Sequence, residues 1–209
     1  MSRRARLEMH PLTPDRLDDF EKLFGPRGAC GGCWCMWWRL SRADYEQRKG
    51  AGNRAAMRRL IRSGAEPGVI ALSDDQAVGW CGVGPRSSYI RLNRSRILRP
   101  VRGEPGPAPA AEGRVWSVVC FYVARGHRNQ GVSARLLEGA AGLARRRGAT
   151  TLEGYPLDPA KSPAGRIPDL FAFPGIASTF VAAGFREVAR RSPGRPIMQR
   201  TLRASRTRR

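Results

Sequence analysis

The sequence predicts an α/β fold in one domain spanning 1–209, and three features carry that expectation. Gly68 to Leu72 and Ala77 to Val83 form two strands joined by the turn Ser73-Asp74-Asp75-Gln76. A near-continuous apolar run from Val115 to Val123 is followed by a loop, a small-residue helix and another strand. The chain then closes on a short helix and two more strands. With 209 residues it is long enough to bury a core and short enough that one domain is the default.

The elements follow in order. Arg6 to Met9 alternates as a short strand does. Thr13-Pro14 opens an acidic amphipathic helix running to Leu23, with Thr13 as cap and Pro14 in the first turn, and Gly25-Pro26 ends it. Ser41 to Ile61 is a second helical region that Gly50 and Gly52 divide into two pieces. After the hairpin, Arg86 to Leu98 interleaves arginines with Tyr89, Ile90, Leu92, Ile97 and Leu98, as a helix or ordered loop over a site would. Arg102 to Gly113, dense in Pro, Gly and Ala, predicts a flexible surface connection.

Val115 to Val123 has the unbroken apolar character of a central strand buried on both faces. Val132 to Arg147 places Leu136, Leu137, Ala140, Leu143 and Ala144 at helical spacing, with Gly148 at its end. Thr150 to Tyr155 is the next strand. A Pro-rich stretch, Pro156 to Pro174, precedes a helix from Ile176 to Ala183, then strands from Gly184-Phe185 to Ala189 and from Pro196 to Leu202.

A formal charge of +21 favours partners that carry phosphates. The charge is almost all arginine, since Lys22, Lys49 and Lys161 are the only lysines. Residues 1–5 and 203–209 are basic, flexible tails, expected to be solvated rather than arms on a nucleic acid. No apolar run approaches the ~20 residues needed to cross a bilayer, and the N-terminus lacks the apolar core of a signal peptide, so the expected location is cytoplasmic with no membrane partner. Five cysteines without an export signal predict reduced thiols.

Arg128-Asn129-Gln130-Gly131-Val132-Ser133 lies between the buried strand and the small-residue helix. There, successive backbone N–H groups and the positive end of a helix converge on one point, which suits a pyrophosphate, and Gly131 lets the backbone approach closely. The loop lacks the Gly-Lys-Ser/Thr of a P-loop and the three spaced glycines of a dinucleotide site.

This loop resembles the acyl-CoA-binding motif of the GNAT superfamily, Arg/Gln-x-x-Gly-x-Gly/Ala, with Arg128 and Gly131 matching and Ser133 in place of the last small residue. Phe180-Val181-Ala182-Ala183-Gly184-Phe185 resembles the family's Tyr-x-x-x-Gly-Phe segment. The resemblance implies a GNAT-like mixed, strongly bent central sheet flanked by helices. Its fourth and fifth strands splay apart around the pantetheine arm of acetyl-CoA, which pairs with backbone groups of Phe121, Tyr122 and Val123.

The reaction so implied is direct attack by a primary amine on the thioester of acetyl-CoA, which serves as co-substrate. It requires a neutral amine, an oxyanion donor and a proton for the departing thiolate. Glu153 is the leading candidate for the base and Asp158 the second. The family's acid tyrosine is Phe180 here, which leaves water, Ser178, Thr179, Tyr155 or Tyr122 for that role.

Cys30-Gly31-Gly32-Cys33-Trp34-Cys35-Met36-Trp37-Trp38-Arg39 combines three thiols with three indoles. Cys30 and Cys33 have C-x-x-C spacing, but no second pair follows to complete a zinc site, so an apolar lid without metal is the expected reading. In the resembling family this region borders the acceptor pocket, which makes Trp37, Trp38, Arg39 and Tyr89 candidate substrate contacts. His10 ends a strand, and His127 adjoins the phosphate loop.

A small amine is the expected acceptor, one that carries an acidic group if Arg39, Arg86 and Arg91 surround it. Acetylation of a protein amine is the alternative, and a non-catalytic CoA- or nucleic-acid-binding protein is the third reading. A homodimer follows by analogy alone.

Overall fold

The computed structural model describes residues 6–98, 114–161 and 172–202. Seven strands form one sheet: β1 (Leu7–Pro11), β2 (Gly68–Ser73), β3 (Gln76–Pro85), β4 (Val115–Val123), β5 (Thr151–Gly154), β6 (Arg186–Arg190) and β7 (Pro196–Thr201). Their order is β1-β2-β3-β4-β5-β7-β6. Among these strand pairings only β4–β5 is parallel, with the helix Val132–Arg146 as the crossover that connects them. The sheet is therefore mixed, and β4 is its middle strand.

Alternation along the strands divides the molecule into layers. Val69 and Ala71 of β2 join a core with α5 (Val132–Arg146), whereas Ile70 and Leu72 join one with Phe20 and Phe24 of α1 (Leu17–Phe24) and Met57 and Ile61 of α3 (Ala51–Arg62). α5 covers one face of the sheet and the N-terminal helices cover the other. A Cβ at Gly139 would meet Met9 Cβ at 3.0 Å, so the missing side chain sets how closely α5 approaches the sheet.

Sequence and structure agree on most boundaries. Pro14–Arg16 forms a 3-10 turn ahead of α1, and Thr13 has the extended backbone of a cap but no capping hydrogen bond from its side chain. Gly25 ends α1 at φ 64°. The turn between β2 and β3 holds Asp74 and Asp75 at φ 46° and 62°, the left-handed pair that a two-residue hairpin requires. Ser41 caps α2 (Arg42–Gln47) by accepting the Asp44 N–H. Gly50, at φ 79°, separates α2 from α3, but Gly52 lies inside α3 and breaks nothing. Arg86 to Leu98 is a 3-10 turn followed by α4 (Ile90–Arg94). The expected connection Arg102 to Gly113, most of the Pro-rich stretch and both basic tails lie outside the described residues.

Candidate active site

β4 pairs with β5 only from Val115 to Val118, opposite Thr151 to Gly154. On its other edge the register against β3 shifts: Val118 faces Val83 and Cys120 faces Gly82, which leaves Val119 as an extra, bulged residue. β4 therefore changes course where β5 ends, and a gap opens in the sheet beside Cys120 to Val123. Beyond β5 the chain makes an isolated parallel bridge, Leu157 with Ile176, ahead of the helix Ala177–Ala182.

A cavity of about 630 Å³ occupies that gap. Phe121 belongs to the core under α5 and Tyr122 packs with the opposite layer, yet both line it, so the cavity passes through the sheet. Its head is the loop before α5. Gly131 caps the helix at φ 77° and Asn129 has φ 59°, so the chain turns sharply into the first helical turn. The N–H groups of Val132, Ser133 and Ala134 have no carbonyl one turn back to receive them, and they face a space large enough for a ligand.

Arg128, Asn129, Gly131, Val132 and Ser133 line the cavity, together with His127. Gln130 does not: its side-chain amide donates to the Gly126 carbonyl at 2.9 Å and stiffens the loop instead. Arg128 Nε donates to the Val123 carbonyl at 3.2 Å, which ties the loop to the end of β4. The Phe121 N–H, expected to face the pantetheine arm, donates to the Phe173 carbonyl at 2.6 Å. A ligand that pairs there must displace the segment carrying Phe173.

Ala29 and Cys30 also line the cavity, so the segment expected as an apolar lid, Cys30 to Arg39, begins in the cavity wall. Nothing local in the sequence reports this, because the Gly28–Gly32 turn reaches β4 through a run of left-handed residues at Gly28, Ala29, Gly31 and Gly32. Phe180 is fully buried and meets Phe121 and Phe185 edge to face, with ring centroids 6.1 and 5.0 Å away.

The expected base and acid occupy a different place. Glu153 is 2% exposed and does not line the cavity. Its carboxylate accepts from Arg86 and from the Tyr155 hydroxyl, and from Gln199 Nε2 at 2.7 Å. Tyr155 also receives Arg86 Nη1 at 2.7 Å and shares a hydrogen bond with Ser117 Oγ at 3.1 Å. Burial pushes the Tyr155 hydroxyl up to about 12. A carboxylate held by a guanidinium and two further donors is a poor proton acceptor, so this is an internal network bracing β4, β5 and β7. Arg86 is committed to it, with its other nitrogen donating to the Leu98 carbonyl at 2.9 Å. Asp158, the second carboxylate, pairs with Arg190 at 3.1 Å.

The acceptor candidates divide. Trp38 and Tyr89 are buried together with Val119, Tyr155 and Ile197 on the face opposite α5, where Phe173 packs against them and connects them to the cavity. Arg39 lies over the Tyr89 ring at 4.7 Å and donates to its hydroxyl at 3.3 Å. Burial pushes that hydroxyl up to about 12. Trp37 is in another set, edge-on to Tyr45 at 5.0 Å with Arg91 above its ring at 3.7 Å.

Two of the thiols meet beside the Trp80 indole. Cys35 Sγ lies 3.4 Å from Cys120 Sγ and receives the Trp80 indole N–H at 2.8 Å. Among the described residues no three Cys, His, Asp or Glu side chains are grouped to hold a metal. No helix among them is long and apolar enough to cross a membrane.

A mixed sheet that opens beside the N-terminus of a helix defines the acyl-CoA-dependent transferase architecture that the loop motif had implied. The chain belongs to the acetyltransferase (GNAT) family, whose sequence model matches residues 34–158, more than half its length. No curated protein sequence matches it.

Solved structures share the fold at low identity. An N-acetyltransferase from Staphylococcus aureus Mu50 superposes with TM-score 0.52 at 12% identity, covering 95% of this chain and 100% of that one. A ribosomal-protein-alanine N-acetyltransferase from Brucella melitensis gives 0.50 at 19%, covering 93% and 99%. The yncA protein of Salmonella typhimurium, whose structure contains its cofactor acetyl-CoA, gives 0.50 at 13%, covering 96% of each chain.

Proposed function

We propose that the protein transfers the acetyl group of acetyl-CoA to a primary amine of a small molecule by direct attack. The observation that carries this reading is the cavity through the sheet, with the unpaired half of β4 along one side and the start of α5 at its head. Residues 128–133 would receive the pyrophosphate on backbone N–H groups, with Arg128 adding charge. Phe121, Tyr122 and Val123 would flank the pantetheine arm and thioester.

In the reaction the amine nitrogen bonds to the acyl carbon, the C–S bond breaks, and the thiolate and the attacking amine exchange one proton overall. Among the described residues lining the cavity there is no Asp or Glu to act as a carboxylate base. The amine would lose its proton to water as it enters, helped by an apolar wall that disfavours its charged form. Tyr122 and Thr179 both bring hydroxyls to the cavity and are the candidates for protonating the thiolate, in place of the buried Tyr155.

Calorimetry with acetyl-CoA tests the reading. Native protein should bind, and Gly131→Asp should lose about a hundredfold in affinity or more, because it strains a left-handed position and sets a carboxylate where phosphates would lie. A folded native protein that binds no acetyl-CoA would overturn it.

A further inference from the structure

We propose that the acceptor amine carries a carboxylate, as a free amino acid does, and that Arg195 together with the Trp38 indole N–H receives it. The inference rests on the acetyl-transfer reading and names the acceptor class for that site.

Sequence reasoning looked to Arg39, Arg86 and Arg91 for an anion. The structure engages Arg86 on Glu153, Arg39 on Tyr89, and Arg91 on the Trp37 ring and, through Nε, the Leu40 carbonyl, although Arg91 Nη2 is left buried without a partner among the described residues. Arg195 leaves a whole side of its guanidinium unengaged. It stands at the turn before β7 with its guanidinium 5.8 Å from the Trp38 ring centroid. Its Nε and Nη2 are sealed from solvent and have no hydrogen-bond partner among the described residues, and neither does Trp38 Nε1. Trp38 is itself only 8% exposed. The half-buried Arg195 and the buried Trp38 beside it thus hold three sealed donor atoms, Nε, Nη2 and Nε1, with no acceptor among the described residues.

The same pair of guanidinium nitrogens shows elsewhere in this molecule what it takes. Arg54 gives Nε and Nη2 to the two oxygens of Glu21 at 3.1 and 2.6 Å. Arg190 gives the same two to Glu187 at 2.7 and 2.6 Å. This side-on fork matches the two oxygens of a carboxylate. At Arg195 the fork is open. Among the described residues no acid compensates its burial, which pulls the guanidinium down to about 10. A desolvated, unpaired cation costs the folded protein free energy, which a bound anion would offset.

The pair stands next to the cavity rather than in its wall: Trp38 shares a cluster with Val119, the bulged residue of β4, and Tyr155, and Phe173, which packs against that cluster, lines the cavity. That neighbourhood points to the acceptor. A carboxylate on Arg195 would lie on the face opposite α5, while the acetyl donor enters from the α5 loop. Donor and acceptor would then approach the gap in the sheet from its two sides.

The test compares acetyl transfer to matched amines, L-phenylalanine and L-leucine against their carboxamides, at saturating acetyl-CoA. The carboxamides have the less basic and more readily deprotonated amines, so chemistry alone favours them. We expect the free acids to lead by about tenfold or more in kcat/KM, and that lead to vanish in Arg195→Met with acetyl-CoA affinity unchanged. Equal or faster transfer to the carboxamides, or a lead that survives in Arg195→Met, overturns the proposal.

If none of the four amines is acetylated, binding decides. N-acetyl-L-phenylalanine and its carboxamide are compared by saturation-transfer NMR on native and Arg195→Met protein. Carboxylate-dependent binding lost in the variant upholds the proposal even where acetyl transfer fails, and its absence overturns it. Melting separates this from a structural role, because removing an unpaired buried charge should leave the Tm unchanged or raised. A marked fall in Tm would return Arg195 to the scaffold and overturn the assignment.

Discussion

The two sides of the gap in the sheet are built by different means. On the α5 side the head of the cavity is made from one continuous stretch, the end of β4, a loop and the first turn of α5, while residues 175–180 close the wall beside it. On the opposite side, polar chemistry comes from side chains that meet across long separations: Arg86 with Glu153, Trp38 with Arg195, Cys35 with Cys120. A site made of backbone depends on local conformation and tolerates most side chains. A site made of paired side chains fails when either partner changes. Single substitutions should therefore act on ligand affinity on the first side and on stability or specificity on the second.

The largest effect on stability is expected at Arg86. Removing it with Arg86→Met leaves the 2%-exposed Glu153 carboxylate with only Tyr155 and Gln199 as partners. An uncompensated buried charge of this kind costs about 3–5 kcal/mol, or roughly 10 °C in a chain of this size. Adding Glu153→Gln should recover a large part of that loss, since a neutral amide needs no counter-ion. Thermal melts of both variants check this. If Glu153→Gln alone instead abolished acetyl transfer while leaving the melt untouched, Glu153 would be the base after all and the contrast between the two sides would break.

That contrast also explains which features were legible in the sequence. The loop at 128–133 could be found because its chemistry lies in consecutive residues, and β4 because its nine residues are almost all apolar. The left-handed turn at Asp74-Asp75 and the stop at Gly25 were legible for the same reason. Glu153 was found as an unusual carboxylate in a strand, but its role was not, since the arginine that binds it is 67 residues away. Arg195 carried no signal at all. It is one of many arginines in a chain of +21, and only the fold shows that its Nε and Nη2 are sealed beside Trp38 without a partner among the described residues. The entry of Cys30 into the cavity was missed because backbone dihedrals, not residue types, bring it there.

A smaller effect is expected at Glu21, where the side-chain face of the sheet is tied down. Hydrogen bonds from Arg58 and then Arg54 hold its carboxyl down at about 2 against an ordinary 4.5. A depressed carboxyl contributes its full stabilisation above the unfolded value and loses it as pH falls from 4.5 towards 2. Both arginines are partly exposed, so screening limits the contribution to about 1–2 kcal/mol at neutral pH. Glu21→Gln should be less stable by that amount at pH 7, with the two curves converging in acid. A difference that persisted undiminished at pH 2 would show that packing, not charge, joins α1 to α3.

The finest distinction lies between two thiols three residues apart. Cys30 lines the cavity and is the more exposed, but burial of its sulfur raises it above the ordinary thiol value. Cys33 is half-buried on the side-chain side, and a hydrogen bond from the Cys35 side chain is the main cause that brings it down to about 6. The thiolate is the species that reacts, so Cys33 should be alkylated ahead of Cys30 at neutral pH despite its lesser exposure. Its rate should climb between pH 5 and 7 and then level, which peptide mapping after timed iodoacetamide pulses resolves. Cys35→Ala should move that midpoint back towards 9. Acetyl-CoA should protect Cys30 and leave Cys33 unchanged, because only the first shares the cavity. Protection of both would mean that the ligand reaches through the sheet farther than the backbone-built side alone provides.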